Sequence, residues 1–182
     1  MLAVSPNIRE RNTFSIGLMI ALTSWALIFV TLIWGYVAYR LHAAAWLQGY
    51  ISSTAIVVAL VNTAVMGFSS SFLARGLKEQ NLRHWAWMAF GLGIVFLIGQ
   101  TYLWRLILAQ GLHWHKSISG SFFFLLTGFH AVHILGGLIA LLILCLRLNQ
   151  WQGSTIAKGI KYFWDFLFIV WMVLFGLIFI IQ

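Results

Sequence analysis

Five long apolar runs divide the chain, and short polar stretches separate them. A transmembrane α-helix needs roughly 20 mainly apolar residues to cross the hydrocarbon core of a bilayer, and each run is about that long. Strands of a membrane β-barrel would be shorter and would alternate apolar with polar residues, which these runs do not do. The pattern therefore predicts five spanning helices, at about residues 14–39, 51–73, 85–108, 120–146 and 160–181.

The composition favours an all-α integral membrane protein that forms a single transmembrane domain over residues 1–182. Hydrophobic residues make up 62% of the chain and charged residues only 8%, whereas about 25% of a soluble protein is charged. The one proline, Pro6, precedes the first run, so the helix interiors lack this helix breaker. The first run is too long for the core of a cleavable signal peptide, and we expect a retained signal-anchor.

The basic residues predict the orientation of the helices. The net charge of +8 is spread over short loops and helix ends, which indicates contact with anionic headgroups rather than with nucleic acid. Of the 11 basic residues, three lie on the side opposite the N-terminus, namely Arg40, Arg105 and Lys116, and the other eight lie on its own side. Because cytoplasmic loops are enriched in Lys and Arg, we expect the N-terminus inside and the C-terminus outside.

Two histidines in the fourth run, His130 and His133, are the first candidates for chemistry. They are three residues apart and share a helical face, and ionisable groups at membrane depth are costly and usually functional. A metal would need further ligands, yet Asp165 is the only acid in any apolar run and Cys145 is the only cysteine. A haem with two histidine ligands takes them from opposite sides, which one helix cannot supply. We expect neutral imidazoles that hydrogen-bond across a helix contact or to a partner subunit, worth about 1 kcal/mol each; a haem-binding cytochrome is the alternative.

Small and polar residues elsewhere follow helical spacings that are typical of helix packing in membranes. The positions that form these stripes are Asn62, Ser69 and Ser70 in the second run, Gln100 and Trp104 in the third, and Gly136 and Ala140 in the fourth. Asp165 can either reach toward the headgroups or pair with Lys161, which lies one turn earlier. We find no catalytic constellation, phosphate-binding loop or metal-ligand set, so we expect another chain to carry out the chemistry.

Four segments together identify a resemblance: NTAVMGFSSSFLARG, LGIVFLIGQTYLW, GSFFFLLTGFHAVHILGGL and FWDFLFIVWMVLF. Their order and content resemble subunit III of the haem-copper terminal oxidases, in its short five-helix form. The resemblance implies an accessory subunit of the bacterial inner membrane without a redox centre. Such a subunit packs beside oxidase subunits I and II, which hold the haem and copper, binds phospholipid, and supports aerobic electron transfer coupled to proton translocation.

By this resemblance, the packing and subunit-interface residues are Asn62, Thr63, Ser69, Ser70, Gln100, Trp104, Thr127, Gly128, His130, His133, Trp164, Asp165 and Trp171. Three positions depart from the family pattern, because acids of many relatives align with Trp25, Leu103 and Phe168 here. The alternatives are a related small subunit of a nitric oxide reductase and a small membrane transporter. Cytochrome c and quinol both remain open as the electron donor.

Overall fold

The computed structural model describes residues 6–43, 46–47, 49–79, 82–151 and 154–181, which form helices and the short turns between them. The helices are α1 at Pro6–His42, α2 at Ser53–Lys78, α3 at Leu82–Ala109, α4 at Ile118–Leu146, α5 at Leu148–Trp151 and α6 at Thr155–Phe175. A π-helical turn at Gly176–Ile180 continues α6. The described residues contain no strand, and five of their helices are long and apolar enough to cross a membrane.

The predicted all-α fold with five spanning helices is confirmed, and the differences lie at the helix ends. Helix α1 begins at Pro6 rather than near residue 14, because proline suits the first turn of a helix, where its missing N–H would have no partner. The four-residue α5 and the terminal π-helical turn were not predicted. Both are too short to produce a periodic apolar pattern of their own.

Serines set the start of three of the spanning helices. Ser52, Ser117 and Ser154 precede α2, α4 and α6, and each side-chain oxygen accepts a hydrogen bond from a backbone N–H in the first turn. Such a cap satisfies a backbone donor that has no partner within the helix. At the end of α3 the chain turns at Gly111, whose φ of 91° favours glycine. Local sequence thus decides where these helices begin and where one of them stops.

The helices pack as an antiparallel bundle with α1 at its outside. Helix α2 packs mainly against α3 and α6, while α4 packs against α3 and α6 on the other side. Helix α1 packs against α6 and α4, and only 6% of its most apolar stretch is buried, compared with 44% for α4. The bundle core is therefore made by α2, α3, α4 and α6, and most of α1 faces outward.

Candidate functional site

A tryptophan on α6, nine residues after that helix begins, joins the four core helices. The Trp164 Nε1–H donates to Ser69 Oγ on α2 at 3.0 Å, and Ser69 Oγ donates to the carbonyl of Ala89 on α3 at 2.7 Å. The ring fits against Gly93 on α3 and Gly137 on α4, where an added Cβ would lie 2.9 Å and 2.8 Å from it. Glycine at both positions is therefore what lets the indole enter the junction.

The glycine of α4 that packs within the bundle is the neighbour of the one that the sequence analysis named. Gly136, with Ala140, was predicted to form a close helix contact, but Gly136 is exposed and a Cβ there would meet nothing within 4 Å. Gly137 is the buried glycine that meets Trp164. Both neighbours are glycines, so the sequence alone could not show which one faces the core.

A second tryptophan on α6 joins α2 one to two turns further along the bundle. The Trp171 Nε1–H donates to Thr63 Oγ1 at 2.9 Å. The adjacent Asn62 donates through Nδ2 to the Phe96 carbonyl on α3 at 3.3 Å, and a Cβ at Gly99 would lie only 2.0 Å from Asn62 Oδ1. The α2–α3 contact is thus close enough for an amide side chain to reach a backbone carbonyl of the facing helix.

The contact between α3 and α4 contains a third indole hydrogen bond. The Trp104 Nε1–H donates to Thr127 Oγ1 at 3.0 Å, and the same hydroxyl donates to the Phe123 carbonyl at 2.7 Å. Trp104 therefore bonds across the bundle rather than with Gln100, its neighbour one turn earlier on α3. Gly128, beside Thr127, is half-buried, and a Cβ there would meet no atom within 4 Å.

His130 lies fully buried at the centre of an aromatic cage. Its ring stacks on Trp171, with 5.5 Å between centroids, and lies edge-on to Phe96 and Phe29 at 6.0 and 6.3 Å. Neither ring nitrogen of His130, and neither polar side-chain atom of Gln100, has a hydrogen-bond partner among the described residues. The expected hydrogen bond from His130 across a helix contact is therefore not formed within this part of the chain.

His133 forms a hydrogen bond within its own helix, and a bond from it to a partner subunit stays a prediction. Its Nδ1 lies 2.8 Å from the Phe129 carbonyl, one turn earlier in the same helix, so it bonds within α4 rather than across a contact. Its ring packs against α1, with centroid distances of 5.3 Å to Trp25 and 5.4 Å to Phe29. A backbone carbonyl one turn earlier in the same helix competes with any partner on a neighbouring helix.

Asp165 forms the ion pair that the sequence offered as one of two possibilities. Its carboxylate accepts from Lys161 Nζ, one turn earlier on α6, and from Ser70 Oγ on α2 at 2.5 Å. The two charged side chains are 22% and 25% exposed. The group lies toward the end of the bundle where α6 begins, so the acid links α6 to α2 while it stays partly solvated.

Within the described ranges, no group of three His, Cys, Asp or Glu side chains is arranged to hold a metal ion. Cys145 is buried on α4. The polar side chains that the sequence singled out are placed mainly between helices, where most of them hydrogen-bond to one another or to backbone carbonyls.

Several known proteins are similar to this chain along nearly its whole length. No protein-family profile matches it. Cytochrome c oxidase subunit 3 of Corynebacterium diphtheriae is 30% identical over 94% of this chain and 89% of its own length. The probable cytochrome c oxidase subunit 3 of Mycobacterium tuberculosis is 31% identical over 97% and 92%, and that of Synechocystis is 29% identical over 91% and 74%.

This chain belongs to the cytochrome c oxidase subunit 3 family. Its bacterial relatives and its five apolar helices make it a multi-pass protein of the inner membrane. These relatives do not favour the nitric oxide reductase subunit or the small transporter that the sequence had left as alternatives.

The three positions where family acids were expected hold packing residues. Trp25 on α1 contacts Phe163 at a centroid distance of 4.9 Å as well as His133. Leu103 is fully buried, and the ring of Phe168 fills the space beside Gly67, 3.3 Å from where a Cβ would lie. The described part of the bundle thus uses aromatic and aliphatic contacts at all three positions.

Proposed function

We propose that this chain is the non-redox subunit III of a respiratory haem-copper terminal oxidase. It packs beside the catalytic subunit I and near subunit II, stabilises them, and supports aerobic electron transfer coupled to proton translocation. The observation that carries the proposal is the similarity to subunits named cytochrome c oxidase subunit 3 over about nine-tenths of the chain. That name also favours cytochrome c over quinol as the donor to the assembled enzyme.

The hydrogen bonds of the bundle support a structural role for its polar residues. Three indole N–H groups and the hydroxyls of Ser69, Thr63 and Thr127 are used between helices or on backbone carbonyls. Side chains engaged in this way are not free to bind a substrate or to pass a proton along a series of acids. We therefore assign the haem and copper, and the reduction of oxygen, to the partner subunits.

The grooves on the outside of the bundle support bound phospholipid. One cavity of about 360 Å³ lies between α2 and α3 and is lined mostly by aliphatic side chains, among them Val57, Val61, Val95 and Ile98. Such walls suit an acyl chain. A second cavity of about 310 Å³, near the starts of α1 and α6, includes Lys158, whose ammonium suits an anionic headgroup.

We also propose that the end of the bundle where α1 begins faces the cytoplasm. The basic residues are concentrated at that end, and the antiparallel order of the five spans then directs the C-terminus outward. The loop around Lys116, which is exposed, would lie on the outer side.

Copurification tests the oxidase assignment. We expect an affinity-tagged chain, gently solubilised, to carry stoichiometric subunits I and II by mass spectrometry and a haem absorption band. The Ser71→Ala variant is a matched control, because that exposed hydroxyl bonds only to Gly67 in its own helix, and the same partners should be recovered. A haem-free, monodisperse chain without partners would overturn the proposal, and a Soret band of the isolated chain that disappears in His130→Ala would support a cytochrome instead.

A further inference from the structure

Two buried polar side chains, one on α3 and one on α4, have no hydrogen-bond partner among the described residues. Gln100 on α3 is 1% exposed and His130 on α4 is fully buried. Within the part of the chain that the structure describes, the amide Nε2 and Oε1 and both imidazole nitrogens make no hydrogen bond. Buried polar side-chain atoms in native proteins nearly always have a partner, either protein or ordered water.

The packing of the two helices places these side chains at the same level. Trp104 bonds to Thr127, and Gly93 lies against Leu138 on the same pair of antiparallel helices. Gln100 lies four residues before Trp104. Because the helices are antiparallel, it lies opposite the position four residues after Thr127, which is residue 131, next to His130. Gln100 lies nine residues before the end of α3 at Ala109, which is about 14 Å inside the helix at 1.5 Å per residue.

The aromatic side chains around His130 leave its ring nitrogens unpartnered. The neighbours of the imidazole are the ring of Trp171, stacked on it, and those of Phe96 and Phe29. The Trp171 N–H is already donated to Thr63. Trp104 likewise donates to Thr127, whose own hydroxyl proton is donated within α4. Both of these indole donors are therefore in use.

We propose that at least one buried water molecule bridges Gln100 and His130 between α3 and α4. A water can accept from the amide Nε2–H and donate to whichever imidazole nitrogen is unprotonated, since each neutral tautomer has one donor and one acceptor. Buried waters in proteins typically make about three hydrogen bonds, and they occupy polar sites of this kind rather than apolar cavities. The site binds water although it lies at a depth where lipid offers none.

A high-resolution density map of the assembly that copurifies with the tagged chain tests this directly. We expect a spherical density within hydrogen-bond distance of both the Gln100 amide and the His130 ring. A direct bond between the two side chains, or a site without such density, would overturn the proposal. Because the map concerns the interior of this chain, its outcome is separate from the identity of the copurifying partners.

Thermal midpoints of the same assembly provide a second test. Gln100→Leu and His130→Phe each remove one of the two side chains that hold the water. The remaining polar side chain is then left without a bridged partner, so both variants should lower the midpoint. The double variant should lower the midpoint by clearly less than the sum of the two single decreases. His130→Gln should lower it much less than His130→Phe. As a control, Ser69→Ala with His130→Phe should be additive, because Ser69 bonds at the level of Ala89, 11 residues from Gln100 along α3. Additivity of Gln100→Leu and His130→Phe would count against a shared water.

Discussion

Ser69 connects three helices through two hydrogen bonds, and replacing it by alanine tests what that connection contributes. The substitution removes the acceptor of the Trp164 N–H and the donor to the Ala89 carbonyl. The carbonyl can keep its bond within α3, but the indole N–H, on a side chain that is 1% exposed, is left without a partner. The loss should therefore arise mainly from that one orphaned donor.

The expected magnitude follows from that orphaned group. Leaving a buried donor unsatisfied costs about 1–3 kcal/mol, while side-chain hydrogen bonds between membrane helices average about 0.6 kcal/mol and reach about 1.7 kcal/mol. We expect Ser69→Ala to destabilise the chain by about 1–2 kcal/mol. For a chain of this length, that lowers a thermal midpoint by about 2–8 °C.

The assay compares Ser69→Ala with Ser71→Ala in the purified assembly. Heated samples are separated by size exclusion, and the tagged chain that remains folded and associated is quantified against temperature. Ser71 is exposed and bonds to Gly67 in its own helix, so its loss should change the stability by less than about 0.5 kcal/mol. Equal midpoints for the two variants would refute the reasoning.

A double-mutant cycle separates the hydrogen bond from other effects of the substitution. Trp164→Phe removes the N–H together with part of the ring that fits between Gly93 and Gly137. If Ser69 acts through the indole, Ser69→Ala should cost less in the Trp164→Phe background, with a coupling of at least about 0.5 kcal/mol. An additive cycle would mean that the serine stabilises α2 and α3 independently of α6.

Two further predictions concern packing and topology. Gly137→Ala should destabilise the chain by about 1–3 kcal/mol, because its Cβ would lie 2.8 Å from the Trp164 ring. Gly136→Ala meets open space and should leave the thermal midpoint of the chain unchanged or slightly raised, because alanine favours a helix more than glycine does. In a Cys145→Ala background, a membrane-impermeant maleimide applied to intact spheroplasts should label Lys116→Cys but not Lys78→Cys; the reverse pattern would show that the proposed orientation is wrong.

The sequence predicted the number and approximate limits of the helices well, because spanning segments must be long and apolar. It could not show which side of each helix faces the core, since lipid-facing and buried positions are both apolar in a membrane protein. Gly136 and Gly137 illustrate this, as do the exposed Trp34 and the buried Trp164. The ion pair of Asp165 with Lys161 was foreseeable because it is local in sequence, whereas the link from Ser70 to Asp165 depends on how α2 meets α6.

The histidines show a second limit of reasoning from residues alone. That His130 and His133 share a helical face could be predicted, but their different surroundings could not. His133 finds a carbonyl on its own helix, while His130 is surrounded by rings contributed by α1, α3 and α6. Competition between a local acceptor and distant ones is decided by tertiary packing.

The peripheral position of α1 has a consequence for how the protein is made. Its main contacts are with α4 and α6, which begin at Ile118 and Thr155, so the ribosome completes α1, α2 and α3 before either of these partners exists. The newly inserted α1 therefore forms its main helix contacts only late in translation. Until then, the apolar length of α1 itself, rather than packing against α4 and α6, must hold it in the membrane.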